Sequence, residues 1–511
     1  MKTFLKLKFG HFVLGTLVVA LTLGACQRNF LDLRTQGEYN IDNYPFPGGA
    51  GPYDQFINGA YSDLRNFDVT VQAFVGITNI RSDDADKGST PSDGATLQEM
   101  DAFTMTPANG LINGFWLGHF RLISSANFIL DRIKNDPNPN TAPSLKIDAE
   151  AQAKFFRAYA YFMMVRSFGA VPIIDSVTTG TVGSTNVPRS APSLVYAFIE
   201  NDLRFAAANL LQKSAYDRRF IGRITAGAAN GLLAKVYLTQ GKWAQAQAAA
   251  DLVMKSGEYD LSVSYRDIFE EAGENSRESI LEVQATADAA NPTIFGSQYS
   301  QVQGVRGAGD WNLGWGFNVP STALDAAYEP NDPRKARTIL YSGGTSLYGE
   351  AVPAGLPNPR YNNKVSSPRS RQTQVNSRSA FWNNVRLLRY ADVVLMYAEA
   401  SNEIGGTQNT TDALAALNSI RARARRGAVA GTLPDVTTRD QTLLRDAIHF
   451  ERRIEFAMEH ERFFDLVRWG TVAVVMQNHG KAFVPNKHEL LPVPQVQRDL
   501  SRGVLTQNPG Y

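Results

Sequence analysis

Apolar residues recur every three or four positions along most of this chain, and the breaks in that recurrence divide it into helices. In "DQFINGAYSDLRNF" (54–67), Phe56, Ile57, Ala60, Tyr61 and Leu64 share one side. The same period predicts a helix from about Asn113 to Ile133, ending before Asp136-Pro137. "DAEAQAKFFRAYAYFMMVRSFG" follows, with acids at its start and Gly169 at its end, as capping prefers, and then "SLVYAFIENDLRFAAANL". One alanine-rich helix stops near Gln240-Gly241 and a second runs from Trp243 to Lys255. Small residues and a short turn make these two close antiparallel neighbours. Ala234, Tyr237, Leu238, Gly241, Trp243 and Ala246 fall near the signature positions of a tetratricopeptide unit.

From about Ser262 to Asn383 the helical stripe fades, apart from "STALDAAYE", and Gly, Pro, Ser, Asn and aromatic residues dominate. That stretch is too long for one loop and predicts an irregular subdomain with short strands. Helices return in "VRLLRYADVVLMYAEASNEIG", "TDALAALNSIRARARRG" and "RDQTLLRDAIHFERRIEFAMEHERFFDLVRWG". The proline-rich end, "LLPVPQVQRDLSRGVLTQNPGY", is expected to lie across the surface of the body. The fold class is therefore mainly α: a scaffold of tetratricopeptide-like helix pairs carrying a loop-rich subdomain.

The start of the chain has a different texture. Lys2, Lys6 and Lys8 precede an apolar run from Phe12 to Leu23, too short to span a bilayer but suited to a secretory signal. The run ends in Leu23-Gly24-Ala25-Cys26, which resembles the bacterial lipobox, whose cysteine is lipidated and opens the mature protein. A plain signal peptide with Cys26 incidental is the alternative. Cys26 is the only cysteine of 511 residues, so a lipidated mature chain has neither a free thiol nor a disulfide. The expected organisation is a leader over 1–25, then an N-terminal helical region over 26–261 with an extended arm to about Pro52. A C-terminal region over 262–511 contains the irregular part, 262–383. The formal charge of +2 includes the three leader lysines, so the body lacks the basic balance that nucleic acid demands.

Several sequences now resemble the SusD/RagB family of outer-membrane nutrient-capturing lipoproteins. These are "WLGHFRLISSANFIL", "AKFFRAYAYFMMVRSFGAVPII", "DAAYEPNDPR", "RYADVVLMYAEA", "NSIRARA", "ERRIEFAMEHERFFDLVRWG" and the terminal "LLPVPQ…QNPGY", in family order. The resemblance covers essentially everything after Cys26. It implies an outer-membrane lipid anchor, no catalysis, no cofactor, and a SusC-like TonB-dependent transporter as partner. It also implies capture of an oligosaccharide, or of peptides in RagB-like members.

The residues themselves fit binding better than catalysis. Glu451 and Glu455 stand one helical turn apart, as a catalytic carboxylate pair would, but their arginine-rich neighbourhood reads as a structural ion-pair lattice. Arg421, Arg423, Arg425 and Arg426 read as a helix C-terminus that pairs with acids. Zinc-binding, nucleophile-elbow and phosphate-loop patterns are missing, and a hydrolase would need unfamiliar residues. Asp83, Asp84 and Asp86 hint at a Ca²⁺ loop but lack the EF-hand spacing, so no metal is expected.

A glycan site needs aromatic platforms beside polar side chains. "NPTIFGSQYSQVQGVRGAGDWNLGWGFNVP" supplies Phe295, Tyr299, Trp311 and Trp315 on irregular backbone, where large aromatics are hard to explain as helix core. Small local cores under a long loop are the structural alternative. The family resemblance adds the N-terminal segment, with Asp83, Asp84 and Lys87 as polar partners.

Overall fold

The computed structural model describes residues 51–136, 138, 141–177, 186–288, 290 and 295–511. The leader, Cys26 and the extended arm to residue 50 lie outside the described residues. Helix α1 (Asp54–Leu64) packs on α2 (Gly110–Lys134). Then α3 (Pro143–Phe168), α4 (Pro192–Asn209), α5 (Ala226–Thr239), α6 (Trp243–Met254), α7 (Tyr390–Ile404), α8 (Thr407–Ala424) and α9 (Gln441–Glu455) follow, each against its predecessor. The order of packing is the order of the chain, as in a repeat array. The array passes without interruption from α6 to α7, although residues 255–389 lie between them in sequence. The irregular subdomain is therefore an insertion into the helical stack, and Gly51–Tyr511 form one compact unit.

Local chemistry sets the helix ends. Asn109 accepts from the amides of Leu111 and Ile112 to start α2, and Asp440 does the same for Thr442 and Leu443 at α9. Pro143 and Pro192 occupy the first turns of α3 and α4, where the missing amide proton costs nothing. For that reason α3 begins five residues before the acidic stretch that the sequence marks as its start.

Among the described residues six short strands form three two-stranded antiparallel sheets. β1 (Ala85–Gly88) pairs with β3 (Phe317–Pro320), Ala85 opposite Pro320. β2 (Ser279–Val283) pairs with β6 (Val385–Arg389), closing the base of the insertion, and β4 (Ile339–Tyr341) pairs with β5 (Arg360–Asn362).

Two expected helices need correction. The segment 385–389 is strand β6, not the first turn of α7, because its backbone pairs with β2 and buries Val385 and Leu388. The segment 439–470 is not continuous either. It breaks at Phe456–Glu461, where Met458 and His460 take positive φ of 66° and 76°, and resumes as α10 (Arg462–Arg468). The break lets successive side chains turn to different partners. The C-terminal segment also does more than lie on the surface: Leu491, Val493 and Leu505 are fully buried in the main core.

The arginines and glutamates of α8 and α9 form the expected lattice. Glu455 takes Arg389 at 3.1 Å, Arg334 at 3.3 Å and Arg423, all buried. Glu451 takes Arg334 at 2.5 Å and Arg421 at 2.9 Å. Burial opposes ionisation of Glu455, yet the three guanidiniums and Lys364 hold its carboxyl down at about 2. Every carboxylate oxygen of this pair is engaged by structure. The lattice fastens the insertion, through Arg334 and Arg389, to the helical stack.

Candidate functional site

The structure scatters the residues singled out by sequence. Both oxygens of Asp83 accept from Arg462, at 2.8 and 2.9 Å, and Asp84 accepts from Arg453 at 2.8 Å. All three groups of the expected polar rim are buried: Asp83, Asp84, and Lys87, whose ammonium donates to the carbonyls of Thr90 and Asp93. The placement of Asp83, Asp84 and Lys87 on a ligand rim is therefore corrected. Their charges are spent on tying the N-terminal segment to α9 and α10, and on closing a turn.

Tyr299 and Trp311 are core residues too. The Tyr299 hydroxyl lies 2.5 Å from Nε2 of His460, and its ring is buried. Trp311 is 6% exposed, packed with Val305, Val319, Leu340, Val352 and Tyr361, and the guanidinium of Arg369 covers its ring at 5.6 Å. Here the small local core under the loop is what the sequence encodes. Trp315 and Phe295 differ: Trp315 is half-buried and Phe295 is 49% exposed.

Those two meet the end of α1 at one edge. Asn66 caps a short helical segment by accepting from the Asp68 amide at 3.0 Å, which sets Phe67 beside the insertion. The Phe67 and Trp315 rings stand edge to face, 6.3 Å apart at 63°. Trp315 is fixed by its backbone, whose amide donates to the Gln301 carbonyl at 2.7 Å. A Cβ on neighbouring Gly314 would lie 2.4 Å from that same carbonyl, so only glycine allows the two strands of chain to run so close. On the other flank, Nη1 of Arg65 donates to the Phe295 carbonyl at 2.9 Å, which also accepts from the Thr286 amide.

Asp68 supplies a polar group at this edge. A side chain on Gly114 of α2 would collide with it, 2.6 Å from Oδ1, and one on Gly118 would meet neighbouring Val69 at 2.9 Å, so these helical glycines make room for the segment. Its carboxylate accepts no hydrogen bond from the described residues, and burial raises it against the nearby charge of Arg121. Among the described residues it is thus an acceptor without a hydrogen-bond partner, on the residue that follows Phe67 and seated against α2. Phe67, Arg65 and Asp68 escape a sequence reading because they sit just past α1, where the apolar period ends. The available signal is "RNFD", an aromatic residue set among charged and polar ones.

The edge offers apolar ring surface, a carboxylate and a guanidinium. Of the histidines, His119, His460 and His488 are buried, and burial pushes them down to about 4, about 3 and about 4, which leaves them neutral. Among the described residues no group of three His, Cys, Asp or Glu side chains could hold a metal ion, and no helix is long and apolar enough to cross a membrane.

A helical-pair scaffold with one irregular insertion is the fold of a SusD-like class of protein. A family model described as starch-binding, associating with outer membrane, matches residues 54–238, and the SusD family model matches residues 277–511. The chain belongs to the SusD/RagB family. SusD-like protein P2 of Formosa agariphila is 28% identical over 481 residues, covering 89% of this chain and 91% of its own length. A SusD-like protein of Bacteroides ovatus is 28% identical over 504 residues, covering 92% and 83%. Among solved structures, a laminarin binding SusD-like protein superposes with a TM-score of 0.75 at 29% identity, covering 90% of this chain and 99% of its own. Surface glycan-binding protein A from Bacteroides thetaiotaomicron, in complex with laminarihexaose, gives a TM-score of 0.74 at 23% identity, covering 89% and 98%. The second likeness speaks to the fold alone.

Proposed function

We propose that this protein is a non-catalytic receptor on the outer membrane that binds an oligosaccharide and delivers it to a SusC-like TonB-dependent transporter. The observation that carries this reading is the half-open, edge-to-face pair of Phe67 and Trp315, with Asp68 next to Phe67 in the chain and its carboxylate without a hydrogen-bond partner among the described residues. Pyranose rings present flat C–H faces and a rim of hydroxyls, which such rings and such a carboxylate complement. Phe295 and Arg65 extend the same edge. The laminarin binding relative supports a glycan ligand, and laminarin is the first polysaccharide to try. Cys26, lipidated, anchors the body, since several acyl chains at about 0.8 kcal/mol per buried methylene hold a protein firmly on a membrane.

Calorimetry on the full chain in detergent, against laminarin, other polysaccharides and a peptide mixture, tests the reading. A glycan should bind without being cleaved, in the micromolar to millimolar range, about −4 to −8 kcal/mol. Binding of peptides alone would replace the sugar by a RagB-like cargo. Release of shorter sugars would make the protein a hydrolase. Detergent extracts that yield the protein without any β-barrel partner would count against delivery.

A further inference from the structure

A groove runs beside the aromatic edge, between α1, the loop 217–223 and the end of β2. It has a volume of about 340 Å³, within the range of small-ligand sites. Arg65 is the wall it shares with the edge, since the guanidinium that lines the groove also holds the Phe295 carbonyl. The opposite wall is the loop "DRRFIGR", anchored at its base. The Ile224 amide donates to the Tyr61 hydroxyl at 2.8 Å, and Arg223 pairs with Asp54 of α1. Gly222 presses on Gln284, where any Cβ would stand 2.5 Å from the amide carbon, so the loop closes on β2 only because that residue is glycine.

Three arginines line this groove, and each is engaged within the protein. Arg223 is taken by Asp54, Arg219 by Asp217 and Arg65 by the Phe295 carbonyl. Arg223 and Arg219 also lie over the Phe220 ring, 4.6 and 5.5 Å from its centre, so that ring is in use as well. What stays open is uncharged. Asn58 and Ser62 stand one turn apart on the exposed side of α1 and line the groove. The Asn58 amide has only a 3.4 Å contact with Asp54, and the Ser62 hydroxyl has no hydrogen-bond partner among the described residues. On the loop wall Ile221 is 57% exposed, an aliphatic face held out by the anchored backbone. Neutral donors and acceptors on one wall and an aliphatic face on the other suit the hydroxyls and the C–H face of an uncharged pyranose.

We propose that this groove is a subsite for a neutral sugar residue, so that the oligosaccharide taken by the aromatic edge is uncharged and long enough to reach from Trp315 past Arg65 to Ile221. The inference rests on the glycan reading above and names the substrate class within it. Asn58 and Ser62 meet the sugar hydroxyls, and Ile221 meets the ring. Two contacts on one chain reinforce each other, and a fragment too short to leave the edge loses the second.

Calorimetry on the full chain in detergent compares laminaribiose, laminarihexaose and a hexagalacturonate. Laminarihexaose should bind at least about tenfold more tightly than laminaribiose, the scale of one or two added hydrogen bonds. The hexagalacturonate should gain nothing over laminarihexaose, even at low salt where charge attraction is strongest. Ile221→Ser and Asn58→Ala, both at exposed positions, should each bring the hexaose down toward the biose. A length advantage under about threefold, or one that survives both substitutions, would overturn the groove. Tighter binding of the hexagalacturonate would overturn its neutral character. Trp315→Ala keeps the two readings apart. Biose binding lost in that variant, with no length advantage in the parent protein, sinks the groove alone. Hexaose binding that survives Trp315→Ala and falls in Ile221→Ser sinks the aromatic edge alone. No binding of any probe sinks both.

Discussion

The Tyr299 hydroxyl and Nε2 of His460 lie 2.5 Å apart in the interior, and Nδ1 of the same imidazole lies 2.9 Å from the Thr78 hydroxyl. One ring thus joins the insertion, the break after α9 and the segment after α1. Burial, with Lys364 nearby, pushes His460 down to about 3, so the imidazole is neutral in the folded state. The unfolded chain binds the proton near 6.5, which makes its contribution to stability complete above that pH and progressively lost below it. At pH 5 the loss from this one group is about 2 kcal/mol. Urea unfolding of the parent protein and of His460→Gln at pH 7.5 and pH 5 measures it. The variant should lose about 2 kcal/mol less between the two pH values, and equal losses would mean that His460 does not titrate in this window.

Removing one charge from the lattice should be costly. Glu455→Gln leaves Arg334, Arg389 and Arg423 short of a counter-charge in the interior, an expected loss of about 3–5 kcal/mol. Glu150→Gln, which breaks a partly exposed pair with Lys154 one turn along α3, should cost under about 1 kcal/mol. Denaturation midpoints compare the two directly. The low position of Glu455 also gives stability that is full above its ordinary range and lost as pH falls toward about 2.

The two tryptophans should part company. Trp315→Ala is expected to weaken glycan binding at least about tenfold with a small change in melting temperature, since stacked rings contribute on this scale. Trp311→Ala removes a core side chain and should cost about 3 kcal/mol or more of stability, while the folded fraction binds as before. Affinity lost in the Trp311 variant with full stability would return the site to that residue.

Gly222→Ala places a methyl group 2.5 Å from Gln284 at a φ of +91°. Strain at such a position costs about 1–2 kcal/mol and should displace the loop. Urea unfolding reads the cost, and protection of the loop amides against hydrogen exchange reads the displacement.

Anchoring is testable by fractionation. Cys26→Ser should move the protein from the membrane to the soluble fraction. A variant that stays with the membrane would assign attachment to something other than the lipobox.

The order of the long helices, the tetratricopeptide-like pair, the irregular stretch and the arginine–glutamate lattice were legible in the sequence, while the strand at 385–389 and the break after α9 were not. The helices are carried by short-range chemistry, an apolar period of three to four and capping residues; for the lattice the sequence shows only the density of opposite charges, since its pairs join different elements. Ala226–Met254 could form little else than a close helical hairpin, whatever surrounds it.

The site was decided by the tertiary structure. Whether a tryptophan in a glycine-rich loop is platform or core depends on what the rest of the chain lays over it. Trp311 meets Val305, Tyr361 and Arg369, while Trp315, four residues on, meets Phe67 from far away in sequence. The same holds for Asp83 and Asp84, whose neighbours in sequence give no hint that Arg453 and Arg462 will neutralise them. Exposure and charge pairing between distant segments are sums over three-dimensional neighbours, and no local period encodes them. Sequence alone thus determined the helical scaffold and the absence of familiar catalytic motifs. Only the packing of the insertion against α1 decided which aromatic rings and which carboxylate remain open to a ligand.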